Sequence, residues 1–209
     1  MNDPGPELLY LLGALRDGSV YNDKAARNYV IVYYQKSYRW LEEVLKPMIT
    51  KIFCKTPIID EYKPGHYRLR IYSKRVYHLI KDHYEFPNDH RGQEFWRVPH
   101  RLRGLKPKAL IPFIQGFFDA EGDIRVNKRS PYLGFSQKNQ DVLLFIKGNL
   151  RRLGIDTGEI HLIDSRSRVY RFVIASKLGI LRYIGLVGSS HPEKVTKLRG
   201  LGHILGQQT

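Results

Sequence analysis

Two stretches of the chain are apolar at almost every position, and each ends in an acidic residue followed by glycine. They are Leu8–Gly18 (LLYLLGALRDG) and Leu110–Gly122 (LIPFIQGFFDAEG). A helix that is apolar all round must be buried on most sides. Gly13 and Gly116 lie inside the runs, where glycine costs about 1 kcal/mol relative to alanine, so they indicate close approach of two backbones. We expect the two helices to pack on each other, with the glycine after each acid ending its helix in the left-handed conformation.

The same order of patterns follows each run: a polar, Tyr- and Arg-rich strand region, an amphipathic helix, further strands and another helix. Matched landmarks lie 102 to 104 residues apart: Gln35-Lys36 with Gln137-Lys138, residues 38–47 with 141–150, and YRLRIYSK (67–74) with YRFVIASK (170–177). This register predicts an α+β fold of two pseudo-symmetric αββαββα repeats with antiparallel sheets. We place the first repeat at residues 1–83, a linker at 84–108 and the second repeat at 109–209.

Three smaller features complete this layout. Prolines and many charges mark residues 84–108 as the linker. The tail from Gly185 carries five glycines among basic residues and is expected to be less regular. Cys54 follows the apolar pair Ile52-Phe53 and is expected to be a small buried hydrophobe.

The strongly positive net charge indicates which class of partner the protein binds. The 209-residue chain has 35 Lys plus Arg against 20 Asp plus Glu, a net charge of +15 and a pI near 9.9, which favours a polyanion and nucleic acid above all. An anionic membrane surface fits less well, because no apolar run approaches the roughly 18 residues of a spanning helix. The N-terminus lacks a basic signal region, and a single cysteine forms no intrachain disulfide. We therefore expect an intracellular, cytoplasmic protein, with organellar expression also compatible.

The acids that end the two runs, Asp17 and Glu121, are the candidate metal ligands. Each stands at a helix C-terminus, where the helix dipole is itself negative, so the two carboxylates repel each other and the helix ends unless a cation lies between them. Oxygen ligands and phosphate chemistry favour Mg²⁺. A divalent ion held in this way supports metal-assisted hydrolysis.

The second motif, Gly116 to Gly122 (GFFDAEG), resembles the signature of the LAGLIDADG homing endonucleases, with glutamate as the last acid. In the first motif Asp17-Gly18 match, but Leu15 and Arg16 replace the usual acidic and small residues, and Gly13 is one position out of phase. Trp40-Leu41, Val98-Pro99 and residues 191–194 (HPEK) are also typical of the family. Two motifs in one chain resemble the monomeric members, in which the motif helices form the interface, two sheets form a DNA saddle and the acids bind the catalytic metals.

The resemblance also implies roles for side chains around the metal. The candidate catalytic residues are Asp17, Glu121, Gln35, Gln137, Arg39 and Lys194. The residue equivalent to Arg39 in the second repeat is Asp141, and the first repeat offers no convincing counterpart of Lys194. The inner acid Asp119 is expected to accept backbone hydrogen bonds or cap the partner helix rather than bind metal.

DNA contacts are expected on the strands, because alternate side chains of a twisted ribbon point at base edges in the major groove. Arg125, Asn127 and Arg129 share one face at period two, and Ser19, Tyr21 and Asp23 share the matching face. The full candidate set is Ser19, Tyr21, Lys24, Arg27, Arg68, Arg70, Arg125, Asn127, Arg129, Arg168 and Arg171.

These patterns, together with the family resemblance, favour an Mg²⁺-dependent endonuclease that cuts a long pseudo-palindromic site in double-stranded DNA. The resemblance further implies a monomeric, intron-encoded enzyme that requires no protein partner. The alternative is an RNA maturase or a non-catalytic DNA-binding protein of the same fold, and the weak first motif is the best argument for it. A basic structural or ribosome-associated protein would explain the charge but not the repeated acid-tipped helices.

Overall fold

The computed structural model describes residues 4–23, 27–87, 92–127 and 129–206, with residues 17, 92 and 93 described by their backbone alone. It has the predicted α+β fold, in which two four-stranded antiparallel sheets flank a central pair of helices. None of the helices in these ranges is long and apolar enough to cross a membrane.

The first repeat begins with its motif helix and continues through two hairpins separated by a long helical stretch. Its elements are α1 (Pro6–Ala14), a 3₁₀ turn (Leu15–Asp17), β1 (Gly18–Asp23), β2 (Asn28–Gln35), α2 (Tyr38–Trp40), a π-helical segment (Leu41–Leu45), α3 (Lys46–Phe53), β3 (Ile58–Lys63), β4 (His66–Tyr72), α4 (Lys74–His78) and a second π-helical segment (Leu79–His83).

Two short helices, α5 (Gly92–Phe95) and α6 (His100–Arg103), and a 3₁₀ turn (Pro107–Leu110) lead into the second repeat. That repeat comprises α7 (Ile111–Glu121), β5 (Gly122–Arg125), β6 (Tyr132–Gln137), α8 (Gln140–Arg152), β7 (His161–Asp164), β8 (Val169–Ile174), α9 (Lys177–Leu186) and α10 (Pro192–Gly206). The Ser-Lys landmarks have the same function in both repeats, since Ser73 and Ser176 cap α4 and α9 by accepting a backbone N–H.

The sheets have matching strand orders, β1-β2-β4-β3 and β5-β6-β8-β7. One face of each sheet packs on helices, which buries Leu69 and Ile71 in the first and Phe172 and Ile174 in the second. The opposite face carries the arginines that alternate with them, such as Arg68 and Arg171. We call this opposite face the concave face.

The motif helices α1 and α7 pack on each other, as their glycines predict. A Cβ at Gly13 would overlap the Phe113 carbonyl oxygen and lie 2.8 Å from the Phe117 amide nitrogen. A Cβ at Gly116 would overlap the Tyr10 carbonyl oxygen in the same way. The two backbones therefore touch at both glycines, and no other residue fits without separating the helices.

The prediction that Gly18 and Gly122 end their helices in the left-handed conformation is wrong. Both are extended, with φ of −155° and −78°, and each is the first residue of a strand. Their common reason is space: a Cβ at Gly18 would overlap the Val32 carbonyl oxygen, and one at Gly122 would overlap the Phe118 ring. The chain thus passes directly from motif helix to sheet.

The 3₁₀ turn explains why Gly13 is out of phase in the first motif. Gly116 lies five residues before its acid, whereas Gly13 lies four before Asp17. Five α-helical residues rise about 7.5 Å, and one α-helical plus three 3₁₀ residues also rise about 7.5 Å. The tighter helix therefore compensates for the missing residue and brings the backbone of Asp17 level with that of Glu121.

Three further segments differ from or extend the sequence picture. The segment 84–108 is packed into the core through Tyr84, Phe86, Trp96, Val98 and Leu102. The tail prediction is wrong, because residues 192–206 form α10, where the buried face Leu198, Leu201 and Leu205 outweighs the glycine cost. The prediction for Cys54 is also wrong: it is exposed, at φ +52°, as the residue that ends α3.

Candidate active site and nucleic-acid interface

The two motif acids stand where the paired helices end and the first strand of each sheet begins. Glu121 is the last residue of α7 and Asp17 the last of the 3₁₀ turn after α1. Helices packed along their length deliver these two positions to the same end of the interface. The side chain of Asp17 lies outside what the structure describes.

The glutamines of the two Gln-Lys landmarks cross the interface to reach the opposite motif helix. Gln35 Nε2 donates to the Ala120 carbonyl oxygen at 3.1 Å. Gln137 Nε2 donates to Glu121 Oε1 at 2.9 Å and to the Arg16 carbonyl oxygen at 3.4 Å. Each side-chain oxygen accepts the backbone N–H of the lysine that follows, which turns the amide nitrogen towards the helix ends. Both glutamines therefore present donors to this centre.

Lys194 brings a cation to the C-terminal end of α7. Its Nζ donates to the carbonyl oxygens of Phe118 at 2.6 Å and Asp119 at 2.8 Å, which belong to the last turn of the helix. The Phe118 oxygen also accepts the backbone N–H of Gly122. Burial lowers the pKa of Lys194 to about 8, although the charges of Asp119, Glu121 and Asp123 act in the opposite direction. A cleft of about 280 Å³ opens beside it, lined also by Gln35, Lys36, Glu193 and Lys197.

The inner acid Asp119 is fully buried and accepts hydrogen bonds, as expected. It accepts from Tyr10 Oη of the partner helix at 2.6 Å, from the Ser190 amide at 2.8 Å and from Ser189 Oγ. Burial raises its pKa despite these hydrogen bonds. Tyr10 Oη in turn accepts from Trp40 Nε1 at 2.9 Å. Asp119 thus joins both motif helices to the segment that leads into α10.

Arg16 occupies the matching position in the first repeat, since Arg16 and Asp119 each follow their packed glycine by three residues. It is 0% exposed, and its guanidinium lies 4.6 Å from the Trp96 ring centre and 5.4 Å from that of Phe86. Burial lowers the pKa of Arg16 to about 9, opposed by the charge of Glu121. Sequence reasoning missed this arrangement, because nothing in the local pattern places two aromatic rings from the segment 84–108 around an arginine.

Among the side chains that the structure describes, Arg39 forms no hydrogen bond with another candidate catalytic residue. Its side chain is 70% exposed and pairs with Glu43 one helical turn away, at 2.8 Å. Its counterpart Asp141 accepts from the Val98 amide and from Arg103 Nη2, at 2.9 and 2.6 Å. Asp141 therefore attaches the segment 84–108 to α8.

The concave face of the first sheet gathers tyrosines around two arginines. Arg68 and Arg70 lie on β4, and the pKa of Tyr21 on β1 is raised first by burial and then by Tyr34 and Tyr72, while these two arginines lower it. On the second sheet, Arg171 and Arg125 both lie over the Tyr132 ring, at 5.7 and 5.9 Å. Four of the predicted DNA-contacting arginines thus lie on the concave faces.

The other predicted DNA-contacting residues are placed unevenly. Ser19 is 1% exposed because α5 packs on β1, so its prediction as a surface contact is wrong. Arg27 and Arg168 are exposed turn residues at φ +54° and +55°. Lys24 lies outside the described residues.

The predicted strand face shared by Arg125, Asn127 and Arg129 is also wrong in its extent. Strand β5 ends at Arg125, and the Asn127 side chain accepts the Arg129 amide at 2.9 Å in the loop beyond it. Polar side chains of this kind favour turns over continued strand. Asn127 and Arg129 are exposed, but their directions are set by that loop.

The donor set at the helix ends suits a hard cation. It consists of carboxylate and backbone carbonyl oxygens, which are the ligands that Mg²⁺ accepts, usually together with several waters and substrate phosphates. Within the described ranges, no three His, Cys, Asp or Glu side chains converge on one point. Glu121 and Asp17 would be the protein carboxylates of such a site.

Comparison with known proteins agrees with this architecture. The family model of the LAGLIDADG-like domain matches residues 109–188. The chain is 32% identical over 198 residues to the homing endonuclease I-ApeI of Aeropyrum pernix, which covers 94% of this chain and 87% of that protein. It is 29% identical over 202 residues to the homing endonuclease I-DmoI of Desulfurococcus mucosus, covering 93% of each.

A crystal structure of an I-DmoI variant bound to its target DNA in the presence of Mg superposes with a TM-score of 0.69. That alignment has 25% sequence identity and covers 89% of this chain and 97% of the other. Three findings agree: the motif helices packed at matching glycines, the two four-stranded sheets, and the sequence similarity over nearly the full length of the chain. The chain belongs to the two-motif LAGLIDADG homing endonuclease family.

Proposed function

We propose that this protein is a site-specific endonuclease that hydrolyses phosphodiester bonds in double-stranded DNA with Mg²⁺. The observation that carries the proposal is the convergence at one end of the α1–α7 interface, where Gln137 holds Glu121 and the facing helix ends are met by Gln35 and Lys194. A purely binding protein has no chemical need for two carboxylates brought together at the ends of the packed motif helices, next to a surface that approaches phosphates.

The residues divide the work of hydrolysis between them. Asp17 and Glu121 would hold the metal, which when bound neutralises the phosphate and activates an attacking water. Gln137 fixes the Glu121 carboxylate in one orientation, at 2.9 Å. Lys194 would place a positive charge beside the scissile phosphate, and the basic cleft next to it has room for ordered water.

Binding would use the concave faces, whose arginines and tyrosines face one duplex from two sides. The two faces carry different side chains at matching positions, for example Arg70 and Val173. We therefore expect a long site that is only approximately palindromic. Arg68 and Arg171 are equivalent residues of the two repeats and would contact related positions in the two half-sites.

The test is cleavage of a DNA library that contains candidate intron-insertion sites, with Mg²⁺ and with EDTA. We expect discrete, Mg²⁺-dependent double-strand cuts by the wild type. Asp17→Asn and Glu121→Gln should each abolish cutting while DNA binding persists, because the metal loses a charged ligand and the concave faces are unchanged. The matched control is Glu42→Gln, an acid that pairs with Lys46 on the outer helical stretch, and this variant should cut normally.

Two outcomes would contradict the endonuclease proposal: wild-type protein that binds an insertion site without cutting it, or acid variants that cut as fast as the wild type. The first outcome would favour a DNA-binding protein or a maturase of the same fold. Binding of the protein to the intron transcript would distinguish the maturase from the DNA-binding protein. EDTA-resistant cutting would contradict the metal assignment alone.

A further inference from the structure

Carboxylates lie among the arginines of the concave faces, where phosphate repulsion makes them costly. On the first sheet, Asp60 of the edge strand β3 faces Arg68 across the β3–β4 pairing. Its Oδ2 accepts from Arg68 Nε at 2.9 Å, and its Oδ1 accepts from Arg70 Nε at 3.0 Å and from Arg70 Nη2 at 2.9 Å. One carboxylate therefore holds two guanidinium groups.

The second sheet holds the equivalent arginine from the other side. Arg171 donates through Nε to Ser136 Oγ and through Nη2 to Asp123 Oδ1, each at 2.8 Å. Asp123 lies on β5 and reaches Arg171 on β8 across the intervening strand β6. It can do so because Gly134 stands between them, where a Cβ would overlap the Asp123 carboxylate.

The two repeats thus reach the same result with different residues. Arg68 and Arg171 stand at matching positions, one residue after the tyrosine of each YR landmark. Asp60 lies on β3, the last strand in the order of its sheet, whereas Asp123 lies on β5, the first strand in the order of the other. The two acids occupy unrelated positions, yet each holds the arginine at the equivalent position of its repeat. This indicates that fixing the arginine is the function that the two acids share.

Stability does not account for these ion pairs. The side chains are between a quarter and two-fifths exposed, and pairs at such positions contribute at most about 1 kcal/mol. Their geometric effect is larger. With Nε of Arg68 engaged by Asp60, the Nη1–Nη2 edge has a fixed direction, and a guanidinium edge is what pairs with two acceptors of guanine.

We propose that Asp60 and Asp123 are positioning residues for base recognition, each of which fixes an arginine of the concave face so that it contacts a base rather than the nearest phosphate. The inference rests on the proposed DNA-binding function and deepens it. The carboxylate lowers affinity for phosphates in general, and the fixed guanidinium gains preference for guanine. Arg70, engaged also by Tyr72 Oη at 2.5 Å, offsets the charge of Asp60.

The experiment is binding selection from a randomised double-stranded DNA library in EDTA, with sequencing of the bound fraction. The wild type should enrich one long motif. Asp60→Asn should lose guanine preference in one half-site and Asp123→Asn in the other. Binding of both variants to random DNA should strengthen about two- to tenfold, because a negative charge leaves the face. Asp82→Asn, on an exposed helical turn, is the control and should match the wild type.

Two further variants separate geometry from charge and from folding. Asp60→Glu keeps the charge but moves the carboxylate, so it should lose the same preference as Asp60→Asn without the gain in affinity for random DNA. Gly134→Ala should displace the Asp123 carboxylate and so reduce guanine preference in the same half-site as Asp123→Asn. Either one still tests the proposal if an asparagine variant fails to fold.

Unchanged preferences in the variants, or an even loss across both half-sites, would overturn the inference while leaving DNA recognition intact. If the wild type itself enriches no motif, the proposed function fails and the inference fails with it.

Discussion

Single residues make the two repeats chemically different at the end of the motif interface where the acids lie. Arg16 and Asp119 stand at matching places, yet one is a buried cation between aromatic rings and the other a buried carboxyl among hydroxyls. Their neighbours at matching positions differ accordingly: Phe86 packs on Arg16 and Ser189 donates to Asp119, and each follows the capping serine of its repeat by 13 residues. We therefore expect the two strands of DNA to be cut in unequal environments.

Lys194 supplies a positive charge at the negative end of the α7 dipole, beside the proposed position of the scissile phosphate. Lys194→Met should therefore slow cleavage about 100-fold or more while DNA affinity changes little. Single-turnover cleavage and equilibrium binding on the same site measure the two effects. Lys197→Met, an exposed lysine on the same cleft, is the matched control. A parallel loss of binding in the Lys194 variant would show that this lysine contacts DNA nonspecifically.

His191 should make the fold sensitive to mild acid. Burial, then the charges of Lys194 and Lys197, lower its pKa from 6.5 to about 4. Between these values the unfolded chain binds a proton that the folded chain does not, so stability is full above pH 6.5 and falls as the pH drops towards 4. The contribution lost at pH 5 is about 2 kcal/mol.

Urea unfolding at pH 7.5 and pH 5 checks this. His191→Gln should lose less stability over that interval than the wild type, whereas the exposed His100→Gln should behave as the wild type does. An identical acid loss in all three proteins would exclude His191 as the source.

At the scale of elements, the central helix pair depends on backbone contact rather than on side-chain packing alone. Gly116→Ala inserts a methyl against the Tyr10 carbonyl, and we expect it to lower the free energy of unfolding by about 3 kcal/mol. Gly148→Ala, in the open interior of α8, should instead raise it by up to about 1 kcal/mol. Thermal and urea unfolding of both variants test the contrast. Equal changes in the free energy of unfolding would show that the close backbone contact at Gly116 does not require glycine.

Elements were also what the sequence predicted well. The apolar runs, the landmark spacing and the inner glycines suffice for the αββαββα order and for the helix contact. The errors arise where distant segments decide local structure. Ser19 alternates correctly on β1 but is covered by α5, and the glycine-rich tail is helical because three leucines find a core. Asp123 shares the β5 face with Arg125, but its contact with Arg171 depends on the strand order of the sheet.

At the scale of the whole molecule, the net charge of +15 should dominate affinity. Binding to DNA should weaken about 1,000-fold or more between about 50 and about 200 mM salt, as release of counterions from several phosphates requires. Filter binding over a salt series measures the slope. Salt-insensitive binding would contradict a polyanion partner.

The position of a charge should matter as well as its number. Arg125→Glu, on the concave face, should weaken binding clearly more than Arg152→Glu at the C-terminal end of α8, a helix that packs against β6 and β8 of the second sheet. The two variants have the same net charge, so equal weakening would mean that the concave face is not the binding surface.

The 3₁₀ turn before Asp17 limits how halves of this family can be recombined. A hybrid that replaced the turn with regular α-helix, at unchanged length, would set its acid about 1.5 Å short along the axis. Its two cutting centres would then lie at unequal heights above the duplex. A first half transplanted from this chain into a relative should therefore carry Leu15–Asp17 with it, and a tandem of two second halves would need no such turn.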